Sequence, residues 1–154
     1  MDRYLEGHVL YGDDFDANQI AEWYEDEREG YACLGAADVE SYRYGYHALN
    51  TIHGYQHLPR AQYARVLGFG SAYGDEFLPI AAMVASLTIV DPSDAFSVGD
   101  RHGIPTNYLK PSPDGSLPLP DGTIDLAQCV VALQPGRDVG LAFGEVARGA
   151  EWGG

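Results

Sequence analysis

The sequence predicts an α/β fold with a mostly parallel sheet, and two observations carry this prediction. From residue 65 onward, short apolar and β-branched runs alternate with stretches of helical spacing, which is typical of βα units. Before residue 64, the apolar residues recur only at helical spacing. We therefore expect one compact domain, in which residues 1–63 form an N-terminal helical cap and residues 64–154 form the sheet-containing core.

Composition limits the classes of protein to which the chain can belong. Its 154 residues are 45% hydrophobic and 21% charged, as in soluble globular proteins. With 23 acidic and 9 basic residues, the formal net charge of −14 repels phosphate backbones, so nucleic acid is not an expected partner. The longest apolar run, residues 78–86, is too short to span a bilayer, and residues 1–3 lack the apolar stretch of a signal peptide. We therefore expect no membrane partner and a cytoplasmic location.

Two helices are predicted in the cap. Asp16 and Gln19 form a capping pair at the start of the first helix, which covers about residues 17–29. Its stripe consists of Ile20, Ala21, Tyr24, Arg28 and Tyr31. A second helix, ending near Gly54 or Pro59, is predicted by a stripe with the same spacing: Val39, Tyr42, Tyr46, Leu49 and His53.

Four strands are predicted in the core, and helices separate some of them. The strands cover residues 65–69, 86–91, 106–110 and 124–131, and the helices cover about 76–84 and 138–148. Pro79 falls in the first turn of the earlier helix, where its missing N–H is tolerated. The crossover between the third and fourth strands contains two Pro-Asp-Gly turns, so we expect it to be short and stiff.

The segment between the first strand and its helix has the composition of a ligand-binding loop. Gly70-Ser71-Ala72-Tyr73-Gly74 lets the backbone approach a ligand, and the following helix offers unpaired N–H groups. Asp91 ends the second strand 21 residues after Gly70, the spacing at which a carboxylate holds ribose hydroxyls in Rossmann-like folds. A dinucleotide fits poorly because the third glycine of its fingerprint would fall on Tyr73. Two alternatives involve no ligand. Residues 70–74 could form only a tight turn between strand and helix, and Asp91 could be only a turn residue at the end of its strand.

Four segments together resemble class I S-adenosylmethionine-dependent methyltransferases. Residues 66–74 are similar to the family's first motif, 87–91 to its second, 119–129 to its fourth strand and 145–148 to a later helix. The resemblance covers about residues 60–154 and implies a Rossmann-like, partly parallel sheet with strand order 3-2-1-4. It also implies S-adenosyl-L-methionine as the cofactor and methyl transfer to an unidentified small-molecule acceptor.

The resemblance also implies which residues bind the cofactor. The methionine part falls on the glycine loop, the ribose on Asp91 and the adenine near Pro92 and the end of the third strand, while residues after the fourth strand line the pocket. The implied cofactor-binding residues are Gly70, Ser71, Ala72, Tyr73, Gly74, Asp91, Pro92, Leu109, Lys110, Cys129 and Val130. No catalytic residue is assigned.

Three features depart from the family's pattern. Gly68 stands where the family usually carries an acid before the glycine loop, which removes a hydrogen-bond acceptor. Residues 133–136 lack the histidines common after the fourth strand, and the three strands that normally complete the sheet are missing. Three explanations stay open: a longer natural protein, a second copy of the chain covering the open sheet edge, or lost activity. The alternative function is a non-catalytic S-adenosylmethionine-binding or interaction module.

No metal site is predicted. His53 and His57 are four residues apart and His47 is nearby, but no third ligand has suitable spacing for zinc. The acids at residues 13–16 do not have the spacing of a calcium loop. Cys129 has no histidine or acid close by in the sequence that would make it a nucleophile, so we expect it to line the pocket.

Overall fold

A five-stranded sheet with helices on its two faces carries the fold. The computed structural model describes residue 6 and residues 14–26, 47–112, 114–129 and 139–150. The order of the strands is β3-β4-β2-β1-β5; β4, β2, β1 and β5 are parallel, whereas β3 is antiparallel to β4. This confirms the predicted α/β class and the predicted order of the four parallel strands. The strands are β1 (Val66–Phe69), β2 (Leu87–Val90), β3 (Asp100–Arg101), β4 (Ile104–Leu109) and β5 (Leu126–Cys129).

Three α-helices and three 3-10 helices accompany the sheet in the described residues. Helix α1 covers residues 17–26, α2 covers 47–53 and α3 covers Val139–Gly149. None of the described helices has both the length and the hydropathy of a membrane span. The 3-10 helices are Tyr55–His57, Asp75–Met83 and Asp94–Phe96.

The predicted capping pair starts helix α1. Asp16 Oδ1 accepts the N–H groups of Asn18 and Gln19 at 2.8 and 3.0 Å, and the N–H of Asp16 donates to Gln19 Oε1 at 2.9 Å. The first predicted helix is therefore confirmed over residues 17–26. The second is confirmed over residues 47–53 and ends before Gly54, while residues 27–46 lie outside the described part of the chain.

Strand β3 is not predicted by the sequence pattern. Asp100 and Arg101 are polar, and they pair with Pro105 and Ile104 across a two-residue turn. His102 and Gly103 make this turn with φ of 56° and 79°. Because the turn folds β3 back onto β4, the latter begins at Ile104, two residues earlier than the predicted strand.

The segment after the glycine loop is a 3-10 helix rather than the predicted α-helix. Pro79 cannot donate a backbone hydrogen bond, and Gly74 enters the helix with a left-handed backbone, φ 70° and ψ 21°. The bonds that form are of the tighter i to i+3 kind, such as the Phe77 N–H to the Gly74 carbonyl at 3.2 Å. The helix still buries Phe77 and Ile80 against the sheet.

Both faces of the sheet are covered, as expected for parallel strands. Val66 and Leu67 are neighbours in β1 and are both fully buried because they point to opposite faces. One face packs against the 3-10 helix Asp75–Met83, through Val66, Phe77, Ile80, Val84, Leu87, Ile89 and Ile104. The other packs beneath the proline-rich crossover and α3, through Leu67, Val90, Leu117 and Ile124.

Arg148 in α3 forms hydrogen bonds with the proline-rich crossover between β4 and β5. Its guanidinium donates to the carbonyls of Leu117 and Leu119 at 3.0 and 2.8 Å and pairs with Glu145 Oε2 at 2.7 Å. The Glu145 carboxylate also accepts the N–H of Leu117 at 2.8 Å. Its bonds to Arg148 and Leu117 hold the pKa of Glu145 at about 2, below the ordinary 4.5.

Arg148→Ala is expected to lower the melting temperature at neutral pH, because it leaves two carbonyls without their donor and the Glu145 carboxylate without its guanidinium partner. The folded pKa of Glu145 is depressed, so its contribution to stability is present above pH 4.5 and is lost as the pH falls toward 2. The difference in melting temperature between wild type and variant should shrink over that range. Arg148→Lys should not rescue stability, since a lysine cannot reproduce the fork of donors. Equal melting at pH 7 would contradict this role.

Candidate functional site

The glycine loop after β1 has a left-handed backbone at three of its five residues. The φ angles are 64° at Gly70, 40° at Ala72 and 70° at Gly74. A Cβ at Gly74 would lie 2.8 Å from Ile89 Cδ1, so this position has no room for a side chain. Ala72 adopts such a conformation without being glycine, at a cost of about 1 kcal/mol or more, which indicates that its surroundings fix it.

Asp91 is one of the groups that hold Ala72. The N–H of Ala72 donates to Asp91 Oδ2 at 3.2 Å, and the N–H of Ser93 donates to Oδ1 at 2.9 Å. Asp91 is only 8% exposed, and burial raises the pKa of its carboxyl, although the two N–H donors oppose this effect. The loop and the acid that follows β2 are therefore joined by a hydrogen bond between residues that are 19 positions apart in the sequence.

Backbone hydrogen bonds near Asp91 join the carboxyl ends of β1, β2 and β4. The N–H of Gly70 donates to the Val90 carbonyl at 2.8 Å, and the N–H of Asp91 donates to the Leu109 carbonyl at 3.1 Å. Ligands of open α/β sheets bind in the crevice outside these strand ends. The geometry therefore places the loop and Asp91 where such a ligand would lie.

The β3–β4 hairpin supports the loop from one side. The ring of Tyr73 packs edge-on against Phe96, with centroids 4.7 Å apart, and the guanidinium carbon of Arg101 lies 5.2 Å from the Tyr73 centroid. The hydroxyl of Tyr108 on β4 donates to the Ala72 carbonyl at 3.1 Å. The ring of Tyr73 is thus held by protein contacts.

The remaining residues implied to bind the cofactor lie at or just after the carboxyl ends of β2, β4 and β5. Pro92 and Leu109 are half-buried, and Lys110 after β4 is exposed. Cys129 is the last residue of β5, half-buried and opposite Phe69 in the sheet register. Val130 lies outside the described residues.

Several solved structures share this fold, whereas no protein-family profile and no curated protein matches the chain. A putative methyltransferase from Haloferax volcanii, in complex with the Trm112 methyltransferase activator, is 18% identical with a TM-score of 0.56, over 88% of this chain and 57% of that one. A SAM-dependent methyltransferase from Thermotoga maritima, a possible histamine N-methyltransferase, is 21% identical with a TM-score of 0.52, over 79% and 57%. The fold is that of the class I methyltransferases.

The match covers only part of those proteins. The YcgJ protein from Bacillus subtilis, 23% identical with a TM-score of 0.53, is matched over 70% of this chain and 46% of its own length. The chain thus spans about half the length of the methyltransferase-fold structures it matches.

The side chains of Ser71 and Phe77 explain why position 68 is a glycine in this methyltransferase fold. A Cβ at Gly68 would lie 2.5 Å from Ser71 Oγ and 2.8 Å from Phe77 Cε2, so the strand has no room for a side chain there. Ser71 is 6% exposed, and its side chain occupies the space that a side chain at position 68 would need.

In the sequence, Glu76 is only the first residue of a predicted helix, and the pattern does not indicate its environment. Burial raises the pKa of Glu76 to about 7, and the negative charges of Asp75 and Asp91 act in the same direction. The Ser71 hydroxyl and the residue's own N–H act in the opposite direction on this pKa. A signal is present in the sequence, since the acid directly precedes the apolar segment that begins at Phe77.

One side chain of helix α1 is affected by the charge at the site. Burial and the negative charge of Asp91 raise the pKa of the Tyr24 phenol. The sequence assigns Tyr24 only to the apolar stripe of α1.

Two of the histidines are exposed, and two contact the start of the 3-10 helix that follows the loop. In the described part of the chain, no group of three His, Cys, Asp or Glu side chains could hold a metal ion. His53 and His57 are exposed, while His47 Nε2 is 2.7 Å from the Asp75 carbonyl. His102 Nε2 lies 3.3 Å from Asp75 Oδ1, so two histidines contact the start of the 3-10 helix.

Proposed function

We propose that the chain binds S-adenosyl-L-methionine at the glycine loop and Asp91, and that it serves methyl transfer to a small-molecule acceptor. The observation that carries this proposal is the 3.2 Å hydrogen bond from the Ala72 N–H to Asp91 Oδ2, because it joins the loop and the acid into one site. The methyltransferase fold of the solved neighbours supports it.

The chemistry of the site fits this cofactor. Each Asp91 oxygen uses one lone pair on a backbone N–H and keeps another, so the carboxylate can accept two ribose hydroxyls. The loop has no side chain at Gly70 or Gly74, where a ligand has to approach the backbone closely. Asp91 also brings a negative charge to a ligand whose sulfonium and ammonium outweigh its single carboxylate.

When bound, the cofactor supplies a methyl group that the acceptor's lone pair attacks, while the carbon–sulfur bond breaks and a neutral thioether leaves. The protein's contribution to such an in-line displacement is to align the two partners and to exclude water. We assign the loop and Asp91 to holding the cofactor. We assign no general base.

S-Adenosylmethionine and its demethylated product, S-adenosylhomocysteine, should each raise the melting temperature of the chain. At a ligand concentration of one hundred times Kd, the stabilisation is about 2.7 kcal/mol. That corresponds to roughly 5–10 °C for a chain of this size. Thermal melts with NAD serve as the control, because the loop lacks the dinucleotide fingerprint. No shift with either adenosyl ligand would contradict the proposal.

The alternative function is a non-catalytic binding module. Assays with the same ligands distinguish such a module from a methyltransferase. Binding that persists without turnover on a panel of amine, phenol and thiol acceptors would favour it. No feature of the described residues favours it over methyl transfer.

We extend the proposal to a protein partner, because the Haloferax volcanii neighbour was solved with the Trm112 activator. Strand β5 lies at one edge of the sheet, where the described residues add only the isolated bridge between Ile124 and Ala150. A second copy of the chain on that edge stays a prediction.

A further inference from the structure

Tyr108 lies on β4, 36 residues after the loop residue that its hydroxyl contacts. We propose that Tyr108 is a positioning residue for the ligand-binding loop: by holding the Ala72 carbonyl, it fixes the orientation in which the loop meets the ligand. This inference rests on the proposed function, since it concerns binding at the same loop. It gives Tyr108 a role in affinity and not only in folding.

The backbone of Ala72 is held at both of its polar groups. Its N–H donates to Asp91 Oδ2 at 3.2 Å, and its carbonyl accepts the Tyr108 hydroxyl at 3.1 Å. Ala72 is 5% exposed and has a φ of 40°, which is unfavourable for a residue with a Cβ. Two hydrogen bonds, one from the residue after β2 and one from β4, therefore stabilise a conformation that alanine does not favour by itself.

The sheet register places Tyr108 beneath the loop. Tyr108 on β4 lies opposite Ile89 on β2, so their side chains leave the same face of the sheet next to each other. Ile89 meets the loop at Gly74, where its Cδ1 leaves no room for a Cβ. Tyr108 meets the loop at Ala72. Because both contacts come from paired strands, the sheet fixes the place at which the Ala72 carbonyl is held.

The contact with Tyr108 also determines where the next backbone donor points. In a trans peptide, the carbonyl of one residue and the N–H of the next point in opposite directions. The Ala72 carbonyl faces Tyr108, so the N–H of Tyr73 faces away from the Tyr108 side chain. Among the residues that the structure describes, this N–H has no acceptor, whereas the N–H of Gly74 donates to the Ser71 carbonyl at 2.7 Å. The Tyr73 N–H is therefore available to a ligand.

The Tyr108 hydroxyl keeps its hydrogen at neutral pH. Burial raises the pKa of this phenol, and Arg101 acts in the opposite direction. Because the phenol stays neutral, the hydroxyl remains a donor to the Ala72 carbonyl under the conditions of a binding measurement.

Tyr108→Phe tests the inference, because it removes the hydroxyl and keeps the ring. We expect calorimetry of the full chain to show about fivefold to tenfold weaker binding of S-adenosylmethionine, as the loss of one hydrogen bond predicts. Tyr63→Phe is the matched control. The Tyr63 hydroxyl also donates to a carbonyl at 3.1 Å, that of Pro59, but Tyr63 lies before β1 at the amino end of the sheet. Tyr63→Phe should leave the affinity unchanged even if the variant melts lower.

A second substitution separates positioning of the loop from packing within the sheet. Glycine adopts a left-handed φ without the penalty that a Cβ imposes. Ala72→Gly should therefore recover part of the affinity that Tyr108→Phe loses, and the two substitutions should not be additive. If Tyr108 acted only through packing in β4, a change at position 72 would not compensate for the lost hydroxyl.

Amide hydrogen exchange of the ligand-free chain adds a measurement that does not depend on the ligand. The Ala72 N–H should exchange faster in Tyr108→Phe than in wild type or in Tyr63→Phe, since the loop has lost one of its supports. Wild-type affinity in Tyr108→Phe, an equal loss of affinity in Tyr63→Phe, or no recovery with Ala72→Gly would overturn the inference and leave the proposed function intact. Failure of the wild-type chain to bind would overturn the proposed function, and exchange at Ala72 would then decide by itself whether Tyr108 holds the loop.

Discussion

Asp91→Ala is expected to abolish the rise in melting temperature that S-adenosylmethionine gives the wild-type chain. The substitution removes the proposed acceptor for both ribose hydroxyls and also frees the Ala72 N–H, so the loop loses one of its supports. Loss of charge-assisted hydrogen bonds of this kind corresponds to about a hundredfold weaker binding or more. Calorimetry and thermal melts at a fixed ligand concentration both measure the effect.

Asp125→Ala is the matched control for Asp91→Ala. Asp125 also accepts a backbone N–H, that of Arg65, with Oδ2 at 2.8 Å. It directly precedes β5, and therefore lies at the amino end of the sheet, away from the loop. Asp125→Ala should leave the ligand-induced shift unchanged even if the variant melts lower. A full shift in Asp91→Ala would contradict the ribose assignment.

Gly68→Asp is expected to destabilise the fold rather than restore the acid that the resemblance leads one to expect there. Its Cβ would overlap Ser71 Oγ at 2.5 Å and Phe77 Cε2 at 2.8 Å, and its carboxylate would add a charge in a buried strand. Overpacking and an unpaired buried charge together cost roughly 3 kcal/mol or more. Denaturant unfolding measures the loss.

Two further variants make the Gly68 prediction specific. A Cβ at Gly99 meets no atom within 4 Å, so Gly99→Asp should change stability little. Combining Gly68→Asp with Ser71→Gly removes the nearest overlap and should recover part of the lost stability. If Gly68→Asp were as stable as wild type, the explanation of this glycine by crowding would be wrong.

The parallel core could be predicted because its signals are local. Residues 66–69 and 87–90 are short apolar runs bounded by glycine or acid, and such runs predict buried strands of the right length. The glycine loop and Asp91 follow from the same pattern, since the ends of adjacent parallel strands meet at one edge of a sheet. Their hydrogen bond confirms this proximity.

The parts that escaped prediction depend on contacts between distant residues. Strand β3 has two polar residues and no alternation, so only its pairing with β4 makes it a strand. The role of Gly68 depends on Ser71 and Phe77 meeting above it, and the raised pKa of Glu76 depends on burial that no single residue indicates. The contacts at these positions form only when the chain folds, so the local sequence pattern does not indicate them.

A crystal structure of the chain grown with S-adenosylhomocysteine tests the central claim most directly. We expect both ribose hydroxyls within hydrogen-bond distance of the Asp91 carboxylate, and the homocysteine part along residues 70–74. A ligand bound away from the carboxyl ends of β1 and β2, or a ribose that faces a different acid, would contradict the account.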